Sequence, residues 1–343
     1  MLILAGDLNL KGVSDAALPL ARVAGELRKA DLVFSNLECL LCAPPAGHSH
    51  GNEGFFADPM VGAEVLTGAG IGVVGIANNV HYGEAINASI AQLDRIGILH
   101  TGAGQNLAAA RAPVIVERAG VRFGFLQRSS VYWPTNHEAR KEATGIAVIK
   151  GHTAYQIPMA RLKPDSFPPN RPGVPPEIIT WADAGYLAEF QEDITALRPK
   201  VDVLVASCHW GLGHEVLRYM TEIAHGAVDA GADIVVGHGP HYVLPVEIYK
   251  GKPVFYGLCN LSFHSGHRGV HGDWLGMLVR VAVEGKKVTG AAIEFMRHNE
   301  KNETFFCALK DEAKALAELI EGSAAFGTRF AADGNQIRIE HPP

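Results

Sequence analysis

Short apolar runs alternate with amphipathic helical patterns over the first 130 residues, and this alternation restricts the fold more than any other feature. The apolar runs are predicted to be buried strands at residues 2–5, 32–34, 72–75, 114–116 and, after a hairpin turn, 121–127. The helical patterns are predicted to be helices at residues 17–29, 59–69 and 84–96. This pattern predicts an α/β fold.

The alternation resumes after residue 183. Helices are predicted at residues 184–197, 215–230 and 311–319, strands at 201–207, 234–237, 243–249 and 254–256, and a hairpin across 276–295. The sequence contains no internal repeat and no convincing linker. We therefore predict one domain over residues 1–300, with a C-terminal helical extension, residues 301–343, packed on it.

Residues 128–183 break this pattern with polar and aromatic stretches that end in a proline-rich piece, residues 158–176. A segment of this length without regular structure is more often functional than idle in a compact domain. We predict a lid or a substrate-recognition insertion here, and a plain surface excursion is the alternative.

Charge and cysteine content restrict the class of protein further. The formal net charge of −6 argues against broad binding of nucleic acid or of an anionic membrane surface. Five cysteines, an odd number, indicate reduced thiols, and the CxxC pair Cys39 and Cys42 is interpreted as packing residues. The first residues already read as a buried strand without a signal peptide, and no run of 18 apolar residues follows, so a cytoplasmic location is expected. The sequence does not indicate an oligomeric state.

Five polar segments directly follow predicted buried strands, the place where α/β folds usually bind ligands. They are residues 6–9 (Gly-Asp-Leu-Asn), 36–38 (Asn-Leu-Glu), 78–81 (Asn-Asn-Val-His), 209–211 (His-Trp-Gly) and 237–241 (Gly-His-Gly-Pro-His). The chain also has 16 histidines, about twice the ordinary frequency. Carboxylate, amide and imidazole groups together suit a divalent transition ion such as Mn²⁺, Fe²⁺ or Zn²⁺, so one or two such ions are predicted.

These segments resemble, in order, the five motifs of the CapA (poly-γ-glutamate and capsule synthesis) branch of the calcineurin-like metallophosphoesterases. The resemblance extends through residues 246–256 and covers about residues 2–263. It implies a four-layer α/β/β/α metallophosphoesterase-like sandwich with two mixed sheets. It also implies a set of metal ligands, namely Asp7, Glu38, Asn79, His209, His238 and His241.

Two departures from the family pattern bear on activity. The family usually has His directly after the second Asn, where it acts as an outer general acid, whereas this chain has Val80 there and His81 one place later. Asn9 stands where phosphoesterases have a histidine ligand, and it is a poorer ligand. If the chain is an enzyme, His81, Asn79 and His209 are its predicted catalytic residues.

Further polar and aromatic residues are predicted to contact the substrate. Arg128, Tyr132, Trp133 and His137 open the long insertion, and Arg128 is a candidate clamp for a carboxylate or phosphate. His264 and Arg268 lie in a glycine-rich loop after the last motif, where a plain polar loop is an equal alternative. Asn36 of the second motif completes this set.

The favoured function is a metal-dependent hydrolase that uses an activated water on a phosphoester or a γ-glutamyl-type amide. Its substrate would be a small anion or a glutamyl peptide or polymer. The alternative is a non-enzymatic accessory or ligand-binding protein in poly-γ-glutamate or capsule synthesis. No Gly-x-Ser-x-Gly and no Walker A sequence is present, which disfavours a serine hydrolase and a P-loop ligase.

Overall fold

The structure is a computed structural model that describes residues 1–44, 56–134, 137–156, 173, 175–263 and 273–340. Within these residues two mixed sheets pack face to face. The ten-stranded sheet contains β1 (Leu2–Asn9), β2 (Leu32–Leu37), β3 (Val73–Gly75), β4 (Leu99–Thr101), β15 (Asn260–Phe263), β16 (Gly276–Glu284), β17 (Lys287–His298), β18 (Thr304–Phe306), β19 (Arg329–Asp333) and β20 (Gln336–Glu340). The six-stranded sheet contains β6 (Val114–Arg118), β7 (Val121–Ser129), β11 (Val203–His209), β12 (Ile234–His238), β13 (Val246–Tyr249) and β14 (Lys252–Phe255).

The strand orders are β19-β20-β17-β16-β1-β2-β3-β4, with β15 beside β1 and β18 beside β17, and β13-β14-β12-β11-β7-β6. Two small pairs lie outside these sheets: β5 (Ala103–Gly104) with β8 (Gly145–Ile146), and β9 (Gly151–Gln156) with β10 (Glu177–Ala182). The helices are α1 (Ala24–Leu27), α2 (Pro59–Ala69), α3 (Ala85–Arg95), α4 (Leu107–Arg111), α5 (Ala184–Leu197), α6 (Arg218–Asp229) and α7 (Ala313–Ala324).

Three hydrophobic cores define the layers. The central core joins the inner faces of both sheets, for example Phe34 of β2 stacked on Phe125 of β7 with ring centroids 5.2 Å apart. A second core lies between the outer face of the ten-stranded sheet and α1, α2 and α3. A third core lies between the outer face of the six-stranded sheet and α5 and α6. The predicted four-layer α/β/β/α sandwich with two mixed sheets is therefore confirmed.

Within the strands, β1, β2, β3 and β4 run parallel, as do β7, β11, β12 and β14. The carboxyl ends of parallel strands meet at one edge of a sheet, so the residues at and just after the ends of β1, β2 and β3 come close to those at and just after the ends of β11 and β12. This arrangement positions the site described below.

The predicted helix at residues 17–29 is too long, because the chain forms turns as far as Val23 before α1. Pro19 lies in the predicted span, and its carbonyl accepts a hydrogen bond from the Thr304 backbone N–H at 2.9 Å. That carbonyl is therefore used by β18 instead of by a helical turn. By contrast, α2 matches its predicted bounds: Asp58 caps its first turn and Gly70, at φ 74°, ends it.

The C-terminal residues contain the predicted helix, as α7, but they also contain β18, β19 and β20. These strands extend the ten-stranded sheet, and Ile337 and Ile339 lie in the central core. A purely helical extension is thus wrong for residues 301–340. The division at residue 300 stays a prediction.

The described part of the insertion carries the β9–β10 hairpin, which is anchored on α6. The Thr180 hydroxyl accepts from the Tyr219 backbone N–H, and Glu222 accepts from the Ala182 backbone N–H at 2.8 Å. Residues 157–172 and 174 lie outside the described residues, and the lid role stays a prediction. The five cysteines are free and buried, as expected for packing residues. Among the described helices, none combines the length and apolar character that a membrane span requires.

Asp233 connects the N-terminal end of β12 to its neighbours, and we expect its contribution to stability to depend on pH. Burial alone would raise the pKa of Asp233, but hydrogen bonds from Lys252, Arg198 and the Leu204 backbone lower it below its ordinary value. A lowered folded-state pKa stabilises the protein above the unfolded-state value, about 3.9, and this stabilisation is lost as the pH falls through the folded-state pKa. Asp233→Asn should therefore cost about 1–3 kcal/mol at neutral pH and less at acid pH.

Urea unfolding of the wild type and of Asp233→Asn, from about pH 6 down to about pH 3, measures this difference. A free-energy gap between the two proteins that stays constant over the whole range would contradict the assignment.

Candidate metal centre

The period of two in β-strands explains why several polar side chains of the centre point inward. On β11, Val203 and Val205 point into the central core, so Ser207 and His209 point the same way. On β12, Val236 points into that core and His238 follows on the same face. Continued apolar alternation therefore brings both histidines to the space between the sheets, beyond the last core side chains.

Asp7 reaches the same space because β1 contains a bulge. Ala5 pairs with Ser35 and Asp7 pairs with Asn36, so Gly6 is the additional residue on β1. A Cβ atom on Gly6 would lie 2.1 Å from the Cys259 carbonyl oxygen, so only glycine fits there. The additional residue turns the Asp7 side chain toward the six-stranded sheet.

Three predicted ligands lie close together. One ligand atom each of Asp7, Glu38 and His241 lies within 4.8 Å of the others. Nδ1 of His241 is 3.4 Å from Oδ2 of Asp7, and its Nε2 is 3.8 Å from Oε1 of Glu38.

Two further histidines surround the same carboxylates. Nε2 of His209 is 3.7 Å from Oε1 of Glu38, and Nδ1 of His238 is 3.2 Å from Oδ1 of Asp7. Gly239, at φ 102°, leaves room for the His209 ring, since a Cβ atom there would lie 2.9 Å from Nε2 of His209. The structure thus brings together Asp7, Glu38, His209, His238 and His241.

Several ligand-type atoms of these residues are buried without a hydrogen-bond partner among the described residues. They are Oε2 of Glu38, Nε2 of His209 and Nε2 of His238, and Oδ1 of Asn79, the sixth predicted ligand, is likewise buried without such a partner. Buried polar atoms without partners destabilise a fold, and one cluster with so many of them requires an explanation. Carboxylate, amide and imidazole acceptors are the atoms that a divalent transition ion accepts, so the residues fit the predicted metal.

Burial and charge set the protonation of these groups. Burial raises the pKa of Glu38 to about 8, with His241 opposing and Asp7 adding to this effect. Burial also acts to raise the pKa of Asp7, but hydrogen bonding to His238 and the charges of His238, His241 and His209 outweigh it and lower the pKa to about 2. Burial lowers the pKa of His209 to about 4. His209 is therefore a neutral imidazole near pH 7, the form that binds metals.

A network of buried amides orients Asp7. The Asn36 side chain donates to Oδ1 of Asp7 at 2.8 Å, and its carbonyl oxygen accepts from Asn78 and from Gln127, each at 3.1 Å. Gln127, on β7 of the other sheet, also donates to the Ser207 hydroxyl. Asn36 is fully buried and engaged on both ends of its amide, so the predicted substrate contact is wrong and its role is to position Asp7.

Asn9 and His81 occupy the positions where the sequence departs from the family. Asn9 donates to the Glu38 backbone carbonyl and accepts from the Lys11 backbone N–H, so both ends of its amide are engaged between two loops. Val80 packs in the second core, between the ten-stranded sheet and its helices. The buried His81 ring lies beside Asn78, with Nδ1 2.8 Å from Oδ1 of Asn78. Burial, aided by nearby His137, His100 and His209, lowers the pKa of His81 to about 3.

Arg128 does not reach the site, and its prediction as a clamp is wrong. Its neighbour Gln127 points into the space between the sheets, so Arg128 points to the opposite face, toward α5. There its guanidinium bonds Asp193 and the Gln127 carbonyl and lies over the Phe190 ring. Arg128 is a buried structural ion-pair partner.

The other predicted substrate contacts differ in their burial and in their distance from the site. His137 is buried, and its ring centroid lies 5.4 Å from that of Tyr82. It also lies near His81 and contributes to the lowering of the His81 pKa. Tyr132 is half-buried and packs on the second core, whereas Trp133 is 64% exposed. His264 and Arg268 lie outside the described residues. Contact of Tyr132, Trp133 or His137 with a substrate stays a prediction.

Sequence reasoning missed Gln127, Cys259 and Asn260. Gln127 stands inside an apolar strand, which is a usable signal for a buried polar role but not for the face to which the side chain points. Cys259 and Asn260 lie in a segment that was not predicted to be a strand. Two non-glycine residues here have positive φ, His241 at 59° and Cys259 at 58°, and such backbone strain concentrates at functional sites.

Comparison with known proteins agrees with the motifs. The family model described as bacterial capsule synthesis protein PGA_cap matches residues 2–265. An uncharacterized Sinorhizobium fredii protein is 27% identical over 281 residues, which cover 69% of this chain and 60% of that protein. A probable polyglutamine synthesis accessory protein of Mycobacterium tuberculosis is 28% identical over 193 residues, 54% of this chain and 43% of that protein. The PGA biosynthesis protein CapA of Bacillus subtilis is 37% identical over 75 residues, 21% of this chain and 20% of that protein. The chain thus spans less than two thirds of the length of each of these relatives.

Proposed function

The chain belongs to the bacterial capsule synthesis protein PGA_cap family, and on that premise we propose that it is a metal-dependent hydrolase of γ-glutamyl-type amide bonds. The names of two relatives, which concern polyglutamine and PGA synthesis, favour a glutamyl peptide or polymer as the substrate. Phosphoester hydrolysis is the alternative substrate class for the same site, since both reactions need an activated water and a polarised oxygen.

The observation that carries the proposal is the cluster of Asp7, Glu38 and His241, whose ligand atoms lie within 4.8 Å of one another. Asn79, His209 and His238 supply further buried acceptors without partners among the described residues. These six residues would hold one or two divalent ions, with Mn²⁺, Fe²⁺ and Zn²⁺ as the candidates. A bound ion of this kind lowers the pKa of a coordinated water and polarises a substrate oxygen.

The residues of the chain contribute orientation and exclusion of water. Asn36 and the Gly239 backbone N–H donate to the two oxygens of Asp7 and fix the plane of its carboxylate. The Ser129 hydroxyl lies 3.3 Å from Nδ1 of His209, so Nε2 of that ring faces Glu38. The central core closes the site on the side between the two sheets, and the partly exposed His241 lies on the side that is open to solvent.

A second candidate function is the non-enzymatic accessory or ligand-binding protein, and the orientation of His81 favours it. Oδ1 of the Asn78 side chain accepts from the Val80 backbone N–H and lies 2.8 Å from Nδ1 of His81. Because this oxygen can only accept, Nδ1 carries the ring proton. Nε2 is then an acceptor, and it has no proton to give to a leaving group. Under this candidate function the ion serves ligand binding alone.

We expect His209→Ala to abolish metal-dependent hydrolysis while leaving the fold intact. Protein purified without chelator should contain about one or two transition ions per chain. With added Mn²⁺ it should hydrolyse a γ-glutamyl anilide, and p-nitrophenyl phosphate or bis-p-nitrophenyl phosphate if the phosphoester alternative holds. The activity of His209→Ala should fall by at least about 100-fold, since even residues that only orient ligands cost 10–100-fold.

His225→Ala is the matched control, because His225 on α6 pairs with Glu247 of β13, away from the ligand cluster and the insertion, and its loss should leave activity unchanged. Metal binding without turnover of any of the three substrates would support the accessory protein over the enzyme. Absence of bound metal would overturn both.

A further inference from the structure

Cys259 and Asn260, at the start of β15, hold two residues of the ligand cluster at once. The Cys259 carbonyl accepts from the Asp7 backbone N–H at 2.8 Å, and its thiol donates to the His241 carbonyl at 3.0 Å. Oδ1 of Asn260 lies 2.9 Å from Nδ1 of His241. This corner therefore connects β1 to the loop after β12, the two segments that supply Asp7 and His241.

The surroundings of Nδ1 of His241 decide which ring nitrogen carries the proton. Two oxygens face Nδ1, that of Asn260 at 2.9 Å and Oδ2 of Asp7 at 3.4 Å. A ring nitrogen between two oxygen acceptors is favoured as the N–H donor, and a bare lone pair there would be repelled by the Asp7 carboxylate. The other nitrogen, Nε2, then presents its lone pair toward Glu38, 3.8 Å away.

We propose that Asn260 is a positioning residue that holds His241 in the Nδ1–H tautomer and directs the Nε2 lone pair into the ligand cluster. The inference deepens the proposed metal centre and rests on it for its functional meaning. Metal-bound histidines ordinarily donate their other ring N–H to a carbonyl or carboxylate, which fixes the ring and raises its basicity.

The burial of Asn260 argues against a merely structural role. Its side chain is fully buried, and its amide nitrogen has no partner among the described residues. Burying an amide with only one end engaged costs free energy that an apolar side chain at the same position would avoid. The bond to His241 is the contact that Asn260 makes in compensation.

The tautomer can be measured directly in the metal-free chain of residues 1–343. Two-bond ¹H–¹⁵N correlation spectra of histidine-labelled protein distinguish Nδ1–H from Nε2–H, and the His241 signals are assigned by their loss in His241→Gln. We expect Nδ1–H for His241 in the wild type and in Asn260→Asp, which keeps the acceptor. Asn260→Leu should lose this preference. A wild-type His241 with its proton on Nε2 would overturn the proposal.

Mn²⁺ affinity, measured by titration calorimetry, gives the second readout. We expect Asn260→Leu to weaken Mn²⁺ binding by about 10–100-fold and Asn260→Asp to retain it. Equal affinities of Asn260→Leu and wild type, with the variant folded, would overturn the role of Asn260. If Asn260→Leu does not fold, Asn260→Ala removes the same acceptor without adding volume and replaces it in both measurements. The spectra need neither metal nor turnover, so they separate a failure of this proposal from a failure of the proposed hydrolase.

Discussion

Asp7→Asn is expected to lower the affinity for Mn²⁺ by more than about 100-fold and to abolish any metal-dependent hydrolysis. Asp7 is fully buried, and each of its oxygens faces donors: Asn36 at Oδ1 and the Gly239 backbone N–H at Oδ2. An asparagine side chain in this place would lose the ligand charge and would also point its NH₂ group at one of these donors. Because substitutions of residues that merely orient ligands cost 10–100-fold, loss of a central carboxylate should exceed that range.

The measurement is the metal content of purified protein together with a calorimetric Mn²⁺ titration. Asp233→Asn provides the matched control, since Asp233 is also a largely buried, ion-paired aspartate but precedes β12, whereas the centre lies at the other end of that strand. It should lose stability and keep metal affinity. An Asp7→Asn protein with wild-type Mn²⁺ affinity would show that this carboxylate is not a ligand.

The position of the site was predictable because it depends on strand order and local motifs. Each polar segment lies at or just after the carboxyl end of a buried strand, and the parallel strands of each sheet end on one side. The strand pattern therefore sufficed to group the polar segments, and the family resemblance selected Asp7 and Glu38 with His209, His238 and His241 from them. Asn79 follows β3 as predicted and its carbonyl oxygen is buried without a partner among the described residues, but its ligand role stays a prediction.

The direction of individual side chains was harder to predict, because a shift of one residue reverses the face of a strand. Arg128 follows Gln127 on β7, and the sequence does not reveal which of the two faces the site. The structure shows that Gln127 points inward and that Arg128 pairs with Asp193. Asn36 illustrates a different limit, since only the three-dimensional network shows that its amide is already engaged.

The fold was predictable where periodicity was strong and failed where strands were short or exposed. The pattern of α2 gave its bounds correctly, whereas β19 and β20 were missed because each has only five residues and several of these are exposed, although Ile337 and Ile339 alternate with polar residues. β15 was missed because it has four residues with two polar side chains, Asn260 and Ser262, which are buried only through tertiary contacts. Non-local pairing of this kind leaves no periodic signal in the sequence.

Gly6→Ala is expected to destabilise the protein by about 3 kcal/mol or more and to weaken metal binding at the same time. The new Cβ would lie 2.1 Å from the Cys259 carbonyl oxygen and 2.7 Å from its carbon, both backbone atoms that cannot rotate away. That same oxygen accepts the hydrogen bond from the Asp7 backbone N–H. Relief of the clash must therefore separate β1 from the Cys259 corner, which moves Asp7 out of the cluster.

Chemical unfolding and a Mn²⁺ titration of Gly6→Ala measure the two effects, and Gly25→Ala is the matched control. A Cβ atom on Gly25 in α1 meets nothing within 4 Å, so alanine there should be neutral or stabilise the helix by up to about 1 kcal/mol. The two substitutions add the same methyl group, and they differ in whether backbone occupies its space.

If Gly6→Ala unfolds at the same urea concentration as the wild type and binds Mn²⁺ equally well, the bulge does not position Asp7. If stability falls while metal affinity is kept, the clash is real but Asp7 holds its place by other contacts, chiefly the hydrogen bonds from Asn36 and Gly239.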